Sequence, residues 1–240
     1  MQRIAINPDQ IKDKLITLTS EQQHYLYRVL RLQKGDKFIA MDGMGKWWLS
    51  QLDNTDALIL HQLTVETELP ISVTLMVALP KGNGFENIVR CCTELGVACI
   101  APVISDRTLL KPSSQKLERW KRIATEAAEQ SERAKVPEIL APIAFNQSIV
   151  SFTNFEKYIC VARGDSPHLL HCLQNQPDII NNSHNKSVVI ATGAEGGWTE
   201  KEIEIALQNG FKPVSLGRRI LRAVTAPIVV MSLISGISEV

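Results

Sequence analysis

The apolar run Val188-Val189-Ile190-Ala191 leads straight into Thr192-Gly193-Ala194-Glu195-Gly196-Gly197-Trp198, and a helix start follows at Thr199. Three glycines between a buried strand and a helix let the backbone approach a ligand closely. The same glycines would also serve a plain strand-to-helix turn, because an isolated glycine pattern is a weak signal. Thr199 and Glu202 form a capping box, and Trp198 is spaced to staple onto Ile203. A second loop, Ser215-Leu216-Gly217-Arg218-Arg219-Ile220-Leu221-Arg222, also follows a strand and gathers three arginines. Alone it reads equally well as a solvated basic turn. Two such loops at consecutive strand ends can share the edge of a parallel sheet where ligands bind, and that coincidence favours a site.

Other segments narrow the chemistry. Leu79-Pro80-Lys81-Gly82-Asn83-Gly84-Phe85-Glu86 has neither the Gly-Lys-Ser/Thr of a phosphate-gripping loop nor the Gly-x-Gly-x-x-Gly of a dinucleotide fold, which counts against NAD or FAD chemistry. His168, His171 and Cys172 lack distant partners at zinc spacing, so no metal site is expected. Cys91 and Cys92 read as buried thiols. The run from Arg119 to Arg133 has a basic first half and suits a solvated amphipathic helix, with Gln130 and Arg133 able to face one direction. Arg28 and Arg31 lie three apart on an earlier helix, with Lys34 and Lys37 after it. They are phosphate contacts or ordinary surface charge.

Two regions must position these residues. Up to about residue 69 the pattern is short strands and turns with one helix. That helix starts near Ser20, where Ser20-Glu21-Gln22-Gln23 fits a capping box, and runs through Arg31. Strands are expected at Lys37 to Met41, Lys46 to Leu52 and Ala57 to Thr64, with a hairpin turn at Asp42-Gly43-Met44-Gly45. A small β-barrel with one helix fits. From residue 70 strand and helix alternate. Ile71 to Leu79, Cys99 to Ile104, Tyr158 to Ala162, Ser187 to Thr192 and Val214 to Leu216 read as strands of an α/β sheet with helices on both faces. Helices are expected near Phe85 to Gly96 and Ser113 to Arg133. The division expected is therefore 1–69 and 70–240.

With 240 residues, 45% hydrophobic and 21% charged, the composition is that of a globular protein. No secretory signal and no run of about 18 apolar residues is visible, so a soluble protein is expected. Five cysteines without framework spacing suit a reducing cytosol. A net charge of +1 leaves any RNA affinity to local clusters.

In order and spacing, several segments together resemble the RsmE family of SPOUT methyltransferases, over nearly the whole chain. They are His24-Tyr25-Leu26-Tyr27-Arg28-Val29-Leu30-Arg31-Leu32, Thr93-Glu94-Leu95-Gly96-Val97, Ser105-Asp106-Arg107, Ala127-Ala128-Glu129-Gln130-Ser131 with Arg133, and the two glycine loops. The chain departs from the family where Ala194 replaces a proline, where Glu132 stands at a position often glycine, and where Ala223-Val224 replaces Thr-Glu. The resemblance implies a PUA-like N-terminal β-barrel and a C-terminal SPOUT α/β domain with a deep trefoil knot. It also implies a cytoplasmic homodimer that methylates N3 of a uridine in 16S rRNA of the small ribosomal subunit, with S-adenosylmethionine as donor and no membrane or metal partner.

The donor would lie against Thr192, Gly193, Ala194, Glu195, Gly196, Gly197, Ser215, Leu216, Gly217, Arg219, Ile220 and Leu221, with Leu79 and Pro80 as a third wall. Arg222, with Arg219, would stabilise charge developing on the uracil carbonyls. Glu195 is a base or a brace for backbone N–H groups, the brace being favoured. Arg28, Arg31, Lys34 and Arg133 would meet RNA or, for Arg133, a partner subunit. The alternatives are another SPOUT reaction such as ribose 2′-O-methylation, or a silent RNA-binding assembly protein.

Overall fold

A computed structural model describes residues 1–109, 112–175 and 187–239. The chain forms two compact units, Met1–Glu68 with Ala128–Val136, and Leu69–Ala127 with Pro137–Val240.

The first unit holds β1 (Arg3–Ala5), β2 (Ile11–Lys12), β3 (Leu15–Thr17), α1 (Ser20–His24), β4 (Lys37–Met41), β5 (Trp47–Asp53) and β6 (Asp56–Leu63). Its strands form one sheet in the order β1-β4-β5-β6-β3-β2, antiparallel except for the parallel β1–β4 pair. Alternation along the strands sends Phe38, Ala40, Leu52 and Ala57 to one face. Ile4, from one end of the sheet, and Ile16, from near the other, are buried in that same core. The sheet thus curls around its own core, as a small barrel does.

Three local features differ from expectation. The capping residue of α1 is Thr19, whose hydroxyl accepts the Gln22 N–H at 3.2 Å while Gln22 Oε1 accepts the Thr19 N–H at 2.9 Å. Thr-x-x-Gln satisfies the box one residue before Ser20. Nor does the α-helix run on to Arg31: it widens into one π turn at Tyr25–Val29, and Arg31 sits at φ 57°. Finally, Ala128–Val136 belongs with the first unit, whereas 70–240 was expected to stay together. Ala128 and Ala134 are small enough to bury against Ile39, Met41 and Trp47, and Glu129 accepts the Ala5 N–H.

The second unit holds β7 (Ser72–Ala78), α2 (Gly84–Glu94), β8 (Cys99–Ile104), most of α3 (Ser114–Gln130), β9 (Glu138–Ile139), β10 (Ile143–Ala144), α4 (Phe145–Ser148), β11 (Glu156–Cys160), α5 (Leu169–Gln174), β12 (Ser187–Thr192), α6 (Glu200–Gln208), β13 (Lys212–Val214) and α7 (Thr225–Ser238). The strand order is β10-β8-β7-β12-β11-β13, with β9 beside β8, and every pairing is parallel. Val73 to Ala78 and Val188 to Thr192 are buried throughout, which explains their unbroken apolar character. β13 lies two residues earlier than Val214 to Leu216; its Pro213 is tolerated because β13 is an edge strand. Because all strands run one way, the loops after β7, β8, β11, β12 and β13 leave from one edge.

Candidate functional site

β12 ends at Thr192, and the chain then folds back on itself. A Cβ on Gly193 would stand 3.2 Å from the Gly197 Cα, tight enough that the turn would have to shift to admit it. Gly197 adopts φ 68°, and its N–H donates to the Ala194 carbonyl at 2.8 Å to close the turn. Ala194 and Trp198 anchor the turn in the core beside Ile203, with Trp198 4.9 Å from the Phe145 ring. Thr199 then caps α6 reciprocally with Glu202.

The loop after β13 is shaped differently. Ser215 Oγ accepts the Gly217 N–H at 3.1 Å, and Gly217 takes φ 115°. The Ser215 backbone donates to the Pro167 carbonyl and accepts the Leu169 N–H, both at 2.9 Å, which ties this loop to the start of α5.

The two loops enclose one cavity of ≈ 330 Å³, within the range of small-molecule sites. Of the residues singled out in the sequence, Gly193, Ala194, Glu195, Gly196, Gly197, Leu216, Gly217, Arg219, Ile220 and Leu221 line it. Thr192 and Ser215, expected against the donor, are not among the lining residues. Leu79 and Pro80 are buried and do not line it. Their loop reaches the site through the next residue: Glu195 Oε1 accepts the Lys81 N–H at 3.0 Å. Glu195 therefore braces backbone. Arg222 is exposed and outside the lining; its carbonyl accepts the N–H groups of Thr225 and Ala226 at the start of α7.

Other lining residues were not expected at the cavity, although Arg107 belongs to the Ser105-Asp106-Arg107 segment of the resemblance. Cys160, Val161, Ala162 and Arg163 leave β11, and Arg107 leaves β8. They come to the cavity only because parallel strands deliver their ends to one edge. Arg107, Arg163 and Arg219 make the surroundings cationic, suited to oxyanions. Burial pushes the Cys160 thiol up to about 12, which favours its neutral form. Among the described residues no group of His, Cys, Asp and Glu could hold a metal ion, and no helix is long and apolar enough to cross a membrane.

The cavity suits a ligand that meets backbone and apolar wall. A Cβ on Gly197 would project into open space, so glycine leaves room that any other residue would fill. The buried Thr192 Oγ1 and Trp198 Nε1 have no hydrogen-bond partner among the described residues. An unmet buried donor or acceptor costs about 1–3 kcal/mol.

The basic residues of the first unit divide. Arg28 is exposed and lines a surface hollow with Ser20, Gln23, His24 and Tyr27. Arg31 is exposed; Lys34 is exposed and 2.7 Å from Asp53. Arg133 is not available to RNA at this surface. Its side chain is only 4% exposed, and its guanidinium is ion-paired with Glu68. Desolvation makes leaving such a charge unpaired costly, so the expected RNA contact is corrected to an internal brace.

Comparison with known proteins agrees with this geometry. A family model described as an RNA methyltransferase domain matches residues 67–235, and one described as an RNA methyltransferase PUA domain matches residues 18–59. Ribosomal RNA small subunit methyltransferase E of Synechocystis is 49% identical over 244 residues, covering 99% of this chain and 78% of that protein. The Bacillus subtilis protein of the same name is 33% identical, covering 100% and 98%. A crystal structure of the Neisseria gonorrhoeae protein of that name, bound to S-adenosyl methionine, superposes with a TM-score of 0.85 at 30% identity, covering 98% of this chain and 97% of that one.

Proposed function

The chain belongs to the ribosomal RNA small subunit methyltransferase E family, and on that premise we propose that it methylates N3 of one specific uridine in 16S rRNA. It is an S-adenosylmethionine-dependent RNA methyltransferase with a PUA domain at its N-terminus. The observation that carries the proposal is the single cavity shared by the loops after β12 and β13.

The donor supplies a methyl group on a positively charged sulfur, an electrophile open to direct displacement. This chain's residues would hold that donor by the backbone of Gly193 to Gly197 and by Leu216, Ile220 and Leu221. Alignment of reacting groups of this kind contributes about 7–11 kcal/mol in well-oriented systems. Uracil N3 carries a proton at neutral pH, so charge must develop on the base as that proton leaves. Arg219 at the cavity, with Arg222 on the exposed segment after it, supplies the positive charge that offsets this; removing such a donor costs roughly 10²–10³ in rate. Glu195 is occupied with the Lys81 N–H and serves as a brace.

The target base is exposed at a cost of a few kcal/mol, offset by phosphate contacts from Arg28, Arg31 and Lys34. The substrate is the small ribosomal subunit, the working form a cytoplasmic homodimer, and the second unit a SPOUT domain whose chain is threaded in a deep trefoil knot.

The test is to incubate the protein and donor with small subunits lacking the modification, then to read the RNA by reverse transcription and nucleoside mass spectrometry. A new stop at one uridine together with 3-methyluridine is the expected result. A methyl found on a ribose, or none beside a working control, would overturn the proposal.

A further inference from the structure

The glycine-rich loop after β12 is gripped from outside by a residue of a different strand end. Arg107 follows β8, and one of its guanidinium nitrogens, Nη1, donates to the carbonyls of both Gly196 and Trp198, the latter at 3.2 Å. These carbonyls flank Gly197, the residue whose left-handed backbone closes the turn. The Arg107 stem also lies flat on Gly196: a Cβ there would stand 2.9 Å from Arg107 Cδ and 3.2 Å from Arg107 Cβ. Gly196 itself has no left-handed φ. A side chain there would have to displace the arginine stem, while its own backbone sets no such limit.

The base of Arg107 is fixed in turn. The Asp106 N–H donates to Glu202 Oε1 at 2.9 Å, and the Thr199 hydroxyl, 3.0 Å from Glu202 Oε2, also lies within 3.3 Å of Asp106 Oδ2. Ser105 N–H donates to Thr108 Oγ1 at 3.0 Å, which tightens the turn around Arg107. Glu202 is 2% exposed, so this anchor is part of the core. On the other side the loop reaches out through Glu195 to the Lys81 N–H. The strand ends of β7, β8 and β12 are thereby stapled together at one edge of the sheet.

We propose that Arg107 is a positioning residue: by bridging the carbonyls of Gly196 and Trp198 it holds the glycine loop in the shape that binds the methyl donor. A charged hydrogen-bond donor is suited to this, because carbonyls at a turn compete for water and neutral bonds there are weak. Lysine keeps the charge but not the planar guanidinium with its fixed fork of donors.

The inference rests on the donor being S-adenosylmethionine, so wild-type binding is measured first, by calorimetry with S-adenosylmethionine. No binding by the wild-type protein would sink the functional proposal itself. Given wild-type binding, R107K and R107A are each expected to raise the dissociation constant about tenfold, the value of one charged hydrogen bond. The donor KM should rise with it, with kcat at saturating donor within about twofold of wild type and RNA affinity without donor unchanged. G196A should weaken donor binding by itself. Adding R107A to G196A should cause little further loss, because the two changes disrupt the same packed pair. Should R107A fail to fold, R107K with a wild-type melting temperature gives the same answer. Unchanged donor affinity in R107K and R107A overturns the inference, as does loss of RNA affinity with donor affinity intact, or strictly additive effects of the two substitutions.

Discussion

The glycine loop after β12 and the basic surface near α1 belong to separate units and are built from different physics. The first is built from backbone. A Cβ on Gly193 would press on the Gly197 backbone, Gly197 needs its left-handed φ, and Arg107 and Glu195 act on carbonyl and N–H groups. The second is built from long exposed side chains, Arg28, Arg31 and Lys34, on and after a π turn. A backbone site tolerates almost no change in shape, whereas a charged surface loses affinity in small, salt-dependent steps. Irregular π turns are common at functional positions, and this one carries Arg28.

The contrast is sharpened most by Arg133, the basic residue that belongs to neither kind. Arg133→Ala leaves Glu68 without its buried partner and should cost about 3 kcal/mol of stability, measured by urea denaturation. If stability were unchanged and RNA binding fell, Arg133 would rejoin the basic surface. Next in size, Gly193→Val should weaken donor binding at least about a hundredfold, since the added side chain meets the Gly197 backbone. Donor affinity near wild type would mean that the loop's shape is not what binds. Arg28→Ala with Arg31→Ala should weaken RNA binding by roughly tenfold and lower the salt slope by about one for each phosphate no longer neutralised, with donor affinity untouched. A loss confined to one RNA sequence would instead make these residues base readers.

The smallest effect concerns pH. The Cys160 and Cys99 thiols are pushed by burial from an ordinary value near 9 up to about 12. A raised folded value means that their contribution to stability is complete below pH 9 and is lost as pH climbs toward 12, while the unfolded thiols ionise first. Denaturation midpoints of wild type and Cys160→Ser, compared below and above pH 9, should converge as pH rises.

Legibility in the sequence followed the same divide. Runs buried on both faces announced β8 and β12 at their observed bounds. Glycines announced both loops of the cavity, because backbone constraint leaves a residue signature. Arg163 left none, and Arg107 stood out only as part of the Ser105-Asp106-Arg107 segment, with no sign of its place: an arginine at a strand end looks like any surface charge until parallel pairing brings the ends together. Segment Ala128–Val136 was hidden for a similar reason, since its alanines fit a solvated amphipathic helix as readily as a second packing partner. Glu132 explains itself only in three dimensions. It takes φ 62°, a conformation natural to glycine, and forms an ion pair with Arg3 at 2.7 Å. At the Ala223-Val224 departure, Val224 packs its methyl where a Gly84 Cβ would stand, so an apolar residue fills that corner.

The central claim is that one cavity at the carboxyl edge of the parallel sheet, built by the loops after β12 and β13, binds the methyl donor. A crystal structure of the protein grown with S-adenosylhomocysteine tests it most directly. The ligand should lie against Gly193 to Gly197 and Leu216 to Leu221, with the Arg107 bridge to Gly196 and Trp198 intact. Ligand bound elsewhere, with these loops untouched, would contradict the account.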